Sequence, residues 1–427
     1  MSEAAVQKEA PSHAAFLERL AGASSPASAR ARLGHGAFVT LRLVDLLGPA
    51  GASLPVAAFQ YQLAATERSC RELPGDSTET AHLCGLTQAA ADAFRARDVR
   101  LMIPALLAYA HYLEDELRLP ESLDVLETTL RVGGAALASG DRIATRLRLG
   151  RVLRKLNLFD AAELAYDAAG ALAAASGDRH SELLSRIGRA NTVLGRGNLA
   201  EAEHSLRQVL GECAAYGDRE AQARAHQGLA VILSVRGQPA QAIPHLWRAY
   251  EQYEDDSSRA RALGDLGATL LTVGDPDGAE LALLEVVRVE NTQDVVSNAM
   301  IELMHCASYR RDRLSFERWL ARCQRRSEGM PPSMLADFYF KSAIGRARFG
   351  QFDRADRLLD AAVATGEGAG LHEFVFRVER VKAGLRDCQP GCDTPPKAAA
   401  EPACESQAVR EVSAALAHLG ALNDVRQ

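Results

Sequence analysis

Six basic residues, Arg148, Arg151, Lys155, Arg186, Arg189 and Arg224, recur along consecutive helical stretches at positions off the apolar stripes. A guanidinium fork presents parallel N–H donors that match a carboxylate, so such a row suits an acidic segment or a C-terminal carboxylate. The competing reading is an ordinary solvated face, balanced by Asp and Glu of neighbouring helices. Other chemistry is thin. Gly195 and Gly197 sit between helices rather than between a strand and a helix, so no phosphate-binding loop is formed. The 11 histidines are scattered, with no pair four apart around an acid. Cys388, Cys392 and Cys404 form a cysteine cluster, but the loose spacing and the lack of a nearby histidine favour free thiols over zinc. No cofactor and no catalytic role are expected, because catalysis needs a convergent pocket.

The elements that carry these residues are set by a recurring alanine, at Ala162, Ala202, Ala242, Ala279 and Ala355. Each follows a short turn and precedes by four residues a large apolar side chain: Tyr166, Leu206, Leu246, Leu283 and Leu359. The turns carry Asn157, Gly197, Gly237, Gly274 and Gly350. Gaps of 40, 40 and 37 residues separate the first four alanines, and the last gap of 76 holds two units. This period implies helical pairs stacked side by side, each packing on its neighbours.

The pair over 141–176 is the clearest. Leu149, Gly150 and Leu153 share one helix face, and Ala162, Tyr166 and Ala169 face back from the next helix. Glycine in a helix costs about 1 kcal/mol relative to alanine, a cost justified where a partner helix crosses closely. The same pattern returns in Leu266, Gly267, Leu270, Gly274, Ala279 and Leu283. Residues 297–327 hold a divergent pair, with Phe316 and Leu320 in place of the small-then-large pattern.

These residues resemble the tetratricopeptide-repeat signature over roughly residues 99–386, with the longer spacing of bacterial regulatory versions. The early tryptophan and the regular closing proline of that signature are missing. The resemblance implies an all-α, right-handed superhelical solenoid of antiparallel helix pairs. It also implies that the first helix of each pair lines a concave groove, which would place the six basic residues there.

Composition agrees. Hydrophobic residues make up 47% and aromatics 5%, so core volume must come from many Ala and Leu contacts, which suits helices. The net charge of −6 argues against general phosphate-backbone binding, so no nucleic acid partner is expected. The start, Met1 to Leu20, has charges and no apolar run, and no stretch approaches the roughly 20 apolar residues of a membrane helix. With dispersed cysteines, a reducing cytoplasm is expected.

The expected organisation is a flexible 1–29, a helical cap or degenerate repeats over 30–98, repeats over 99–386, a Pro/Ala/Cys linker over 387–405, and a C-terminal helix over 406–427. That helix carries Val409, Val412, Leu416 and Leu419 on one face, and either caps the solenoid end or visits a groove or partner. The expected function is a non-enzymatic scaffold binding a protein or peptide, with an acidic segment as a natural ligand. The alternative is a ligand- or peptide-sensing module of a bacterial signalling or transcription system, although 30–97 shows no helix-turn-helix.

Overall fold

A computed structural model describes residues 12–21, 28–48, 55–289, 292–327, 330–387 and 406–424. Among them every regular element is a helix, and the chain divides into two compact units, Met1–Asn198 and Leu199–Gln427. The first unit holds α1 (Ala14–Ala21), α2 (Ala29–Asp45), α3 (Val56–Arg71), α4 (Thr78–Ala96), α5 (Ile103–Asp115), α6 (Leu119–Gly133), α7 (Ser139–Lys155), α8 (Phe159–Ser176) and α9 (Arg179–Gly195). The second holds α10 (Leu199–Tyr216), α11 (Arg219–Val235), α12 (Pro239–Gln252), α13 (Asp256–Thr272), α14 (Pro276–Val289), α15 (Gln293–Tyr309), α16 (Arg313–Gln324), α17 (Pro332–Arg348), α18 (Phe352–Gly368), α19 (His372–Asp387) and α20 (Gln407–Asp424).

Local chemistry sets where these helices stop and start. Within each pair the turn residue takes a left-handed conformation, with φ of 60° at Asn157 and 73° at Gly237. Between pairs, Gly177 and Gly217 end one helix in the same way, and the following Asp178 and Asp218 cap the next. Each Asp accepts a backbone N–H three residues on, at 3.0 Å. Arg97, Leu117 and Arg311 adopt left-handed geometry without glycine, which weakens the repeat signal at those turns.

The signature alanines are fully buried, and the glycines mark close crossings. The Tyr166 ring lies against both Gly150 of α7 and Gly188 of α9. In the divergent pair, Phe316 of α16 presses on Gly345 of α17 instead, so the large side chain and its glycine have been redistributed between neighbouring pairs. Successive first helices touch one another, α7 with α9, α13 with α15, and α15 with α17, whereas successive second helices make marginal contact at most. Within each unit the first helices therefore form the crowded, inner row.

Two helices lie outside the repeat pairs. The start does not fray throughout: α1 docks on α2 and α6, with Phe16 fully buried. His13 pins it, its Nδ1 2.7 Å from Asp124 Oδ1 and its Nε2 3.1 Å from Asp45 Oδ2. Burial opposes charge on His13, but the hydrogen bonds to Asp124 and Asp45 outweigh it and raise its pKa to about 9. The stabilisation is complete below the unfolded value near 6.5 and is lost as pH rises through about 9. Limited proteolysis within Ala14–Ala21 is expected to be slow at pH 7 and fast at pH 10, with His13→Ala cut rapidly at both. In the second unit α20 packs on α12 and α14.

Candidate functional site

In the first unit, Arg148, Arg151 and Lys155 occupy one face of α7 at spacings of three and four, as a helix requires for side chains to converge. They meet on a single carboxylate, Glu114 of α5. Arg148 Nη1 lies 2.7 Å from its Oε2, and Arg151 Nε and Lys155 Nζ lie 2.6 and 2.8 Å from its Oε1. The Glu114 side chain is fully buried, while the three cations remain 21–31% exposed. Burial would raise the Glu114 pKa, but the charges of Arg151, Lys155 and Arg148 prevail and hold it at about 2. The three partly exposed cations and the buried carboxylate together form one ion cluster on the inner row.

The remaining basic candidates lie on α9 and α11. Arg186 is half-buried on α9. Arg189 is exposed and reaches Asp167 of the second helix α8, Nε to Oδ1 at 3.6 Å. Arg224 lies in the second unit and binds Glu220 of its own helix, with Nη2 2.8 Å from Oε1.

The inner row of the second unit is polar and mixed in sign. Gln227 of α11 donates to Asp265 of α13 at 2.6 Å and accepts from the Tyr253 hydroxyl at 2.8 Å. Arg261 of α13 pairs with Asp294 of α15 at 3.4 Å, and Lys341 of α17 bridges Glu302 of α15 and Asp337 of its own helix. Burial by the surrounding protein raises the Asp265 carboxyl pKa, against the hydrogen bond from Gln227 and the charge of Arg261, which lower it. Such a row offers fixed donors and acceptors at repeat spacing, which is what an extended chain of alternating amides and side chains requires.

Sequence reasoning missed Glu114. It lies 34 residues before Arg148, on the first helix of the preceding pair, so no pattern within a single helix links the two. Trp247 is partly buried against the core cluster of the second unit. Cys388, Cys392 and Cys404 lie outside the described residues, among which no group of three potential metal ligands occurs. No helix among the described residues is long and apolar enough to cross a membrane.

Helix pairs at this interval, closed by small residues and stacked through their first helices, decide the fold. It is a tetratricopeptide-type helical solenoid. No protein-family model and no curated protein matches the chain. Among solved structures, the Rap conjugation gene regulator of the plasmid pLS20, in complex with the Phr* peptide, is 11% identical. The match covers 83% of this chain and 96% of that one, with a TM-score of 0.53. The apo form of the quorum sensor NprR from B. thuringiensis is 12% identical, with 82% of this chain and 91% of that one covered and a TM-score of 0.49. The tetratricopeptide-type fold of this chain is thus shared with a regulator whose structure holds a peptide.

Proposed function

We propose that the chain binds a peptide, or an extended segment of another protein, along the inner faces of its first helices, and does no chemistry of its own. The observation that carries this reading is the convergence of Arg148, Arg151 and Lys155, each 21–31% exposed, on buried Glu114 at the inner row. Fixed cations of this kind recognise a carboxylate with little ordering cost, because Glu114 has already immobilised them. The ligand is a peptide with an acidic side chain or its terminal carboxylate placed at α7. The Rap regulator captured with its peptide supports a sensing role, in which such binding reports a signal within a bacterial regulatory system.

The test is binding of a fluorescent library of acidic peptides to the full chain and to Arg148→Gln/Lys155→Gln, which leaves Arg151 paired with Glu114. At least a tenfold weaker affinity is expected, with a shallower salt dependence. Arg189→Gln, whose partner is on α8, serves as the control and should bind as the parent does. Equal affinity in all three proteins would reduce the α7 cations to a structural role.

A further inference from the structure

The outer side of the second unit carries a helix that the repeat pattern does not require. α20 lies across α12 and α14, whose second-helix positions leave a groove between them. Val409, Val412 and Leu416, on one face of α20, are buried in the same cluster as Ile243, Leu246 and Leu283. Between the two valines and the leucine, Ser413 hydrogen-bonds Asp275 Oδ2, and the other oxygen of Asp275 accepts the Gly278 N–H at 2.9 Å near the start of α14.

The groove is encoded in one repeat step. At three other steps, the residue after the signature alanine is an acid, and it pairs with the base just before the next left-handed turn. Glu163 meets Arg196, Glu203 meets Arg236, and Glu280 meets Arg310. At the step beneath α20 these two positions are Ile243 and Val273, 0% and 6% exposed. Trp247, one turn after Ile243, takes a position held by Asp167 and Arg207 in the two preceding second helices. An ion pair that tolerates water has been exchanged for an apolar floor that needs a cover.

The cover is held by buried Val409, Val412 and Leu416, by partly buried Leu419 and by the Ser413 hydroxyl. It is separated from α19 by residues 388–405, which contain Pro390, Pro395, Pro396 and Pro402 and no large apolar residue. We infer that the α12–α14 groove is a helix-binding site and that α20 is its exchangeable occupant, so that α20 of a second copy of the chain can replace the chain's own. Both halves of the interface, the apolar floor and the matching stripe with its hydroxyl, are present in every copy. The inference stands apart from peptide binding at the inner row.

The probe is a fluorescein-labelled peptide of residues 405–427, titrated into the full chain and into full-length Val412→Asp, which evicts its own helix and leaves the groove intact. A tethered helix competes at an effective concentration of about millimolar, so the peptide is expected to bind Val412→Asp at least tenfold more tightly than the parent. Adding Ile243→Asp should abolish that binding. Equal affinity for Val412→Asp and the parent, or binding that survives Ile243→Asp, overturns the inference.

A second measurement does not depend on how Val412→Asp folds. The full chain is folded with a protease site replacing residues 397–400, then cut, and the labelled peptide is expected to exchange in at excess. No exchange overturns the proposal. Mixing full-length Val412→Asp with full-length Ile243→Asp should give a one-to-one complex by light scattering that neither forms alone. Two unaltered monomers would rule out exchange between copies.

Discussion

Glu114→Gln is expected to destabilise the first unit by about 3–5 kcal/mol, the cost of removing one partner of a buried ion cluster. The Glu114 side chain is fully enclosed and three cations converge on it, so the neutral amide would leave Arg148, Arg151 and Lys155 repelling one another on one face of α7. The effect depends on pH in a defined direction. The folded pKa is about 2 and the ordinary value 4.5, so the carboxylate contributes its full stabilisation above pH 4.5 and loses it as pH falls through 2. A shift of that size corresponds to about 3 kcal/mol. Urea unfolding followed by circular dichroism should therefore show a wide gap between parent and Glu114→Gln at pH 7 that narrows at pH 3. A gap that stays constant with pH would mean that the carboxylate charge is not what the cations require. The same variant tests recognition as well as stability, because it removes the carboxylate that fixes the geometry of the three cations.

The repeat frame was legible because its constraints are local. A left-handed turn asks for Gly or Asn, as at Gly237 and Asn157, and a close crossing asks for Ala or Gly, as at Ala162 and Gly150. Where another residue meets the same demand the signal fades: Arg311 adopts the turn without glycine, and Phe316 with Gly345 transfers the large-small contact to the next pair. This is the physical reason why 297–327 reads as divergent although α15 and α16 form an ordinary pair. The site was only half legible. Helical spacing brought Arg148, Arg151 and Lys155 to one face, but convergence on a carboxylate depends on the stacking of α5 against α7, which a single helix pattern does not contain. Arg189 and Arg224 were grouped with them on charge and face, and their nearest acids, Asp167 and Glu220, drew them elsewhere.

The location of α20 was legible only by comparison among the chain's own repeats. Ile243 and Val273 look unremarkable as core residues until set beside Glu203 with Arg236 and Glu280 with Arg310. The amphipathic stripe of α20 announces that it must be covered, and the missing outer ion pair tells where. A similar argument applies at the start, where His13 pairs with two acids 32 and 111 residues away, distances at which no periodic pattern operates.

Gly188→Ala is expected to cost about 2 kcal/mol or more, although alanine is by itself the better helix former by about 1 kcal/mol. A methyl group at that position would stand 2.1 Å from Tyr166 Cε1 and 2.4 Å from Cζ, inside any allowed contact. The ring cannot retreat freely, because on its other side the Gly150 position would place a Cβ only 2.9 Å from it. Tyr166 is 5% exposed, so swinging it outward would empty the junction of α7, α8 and α9. The clash belongs to the pair rather than to the glycine, which a double-mutant cycle can establish. In a Tyr166→Leu background the smaller side chain clears the site, and Gly188→Ala should become neutral or stabilising by up to about 1 kcal/mol. Thermal and urea unfolding of the four proteins measure the coupling. Additive costs would mean that the ring does not set the approach of α7 and α9, and the small residues of the repeat would then need an explanation other than close packing.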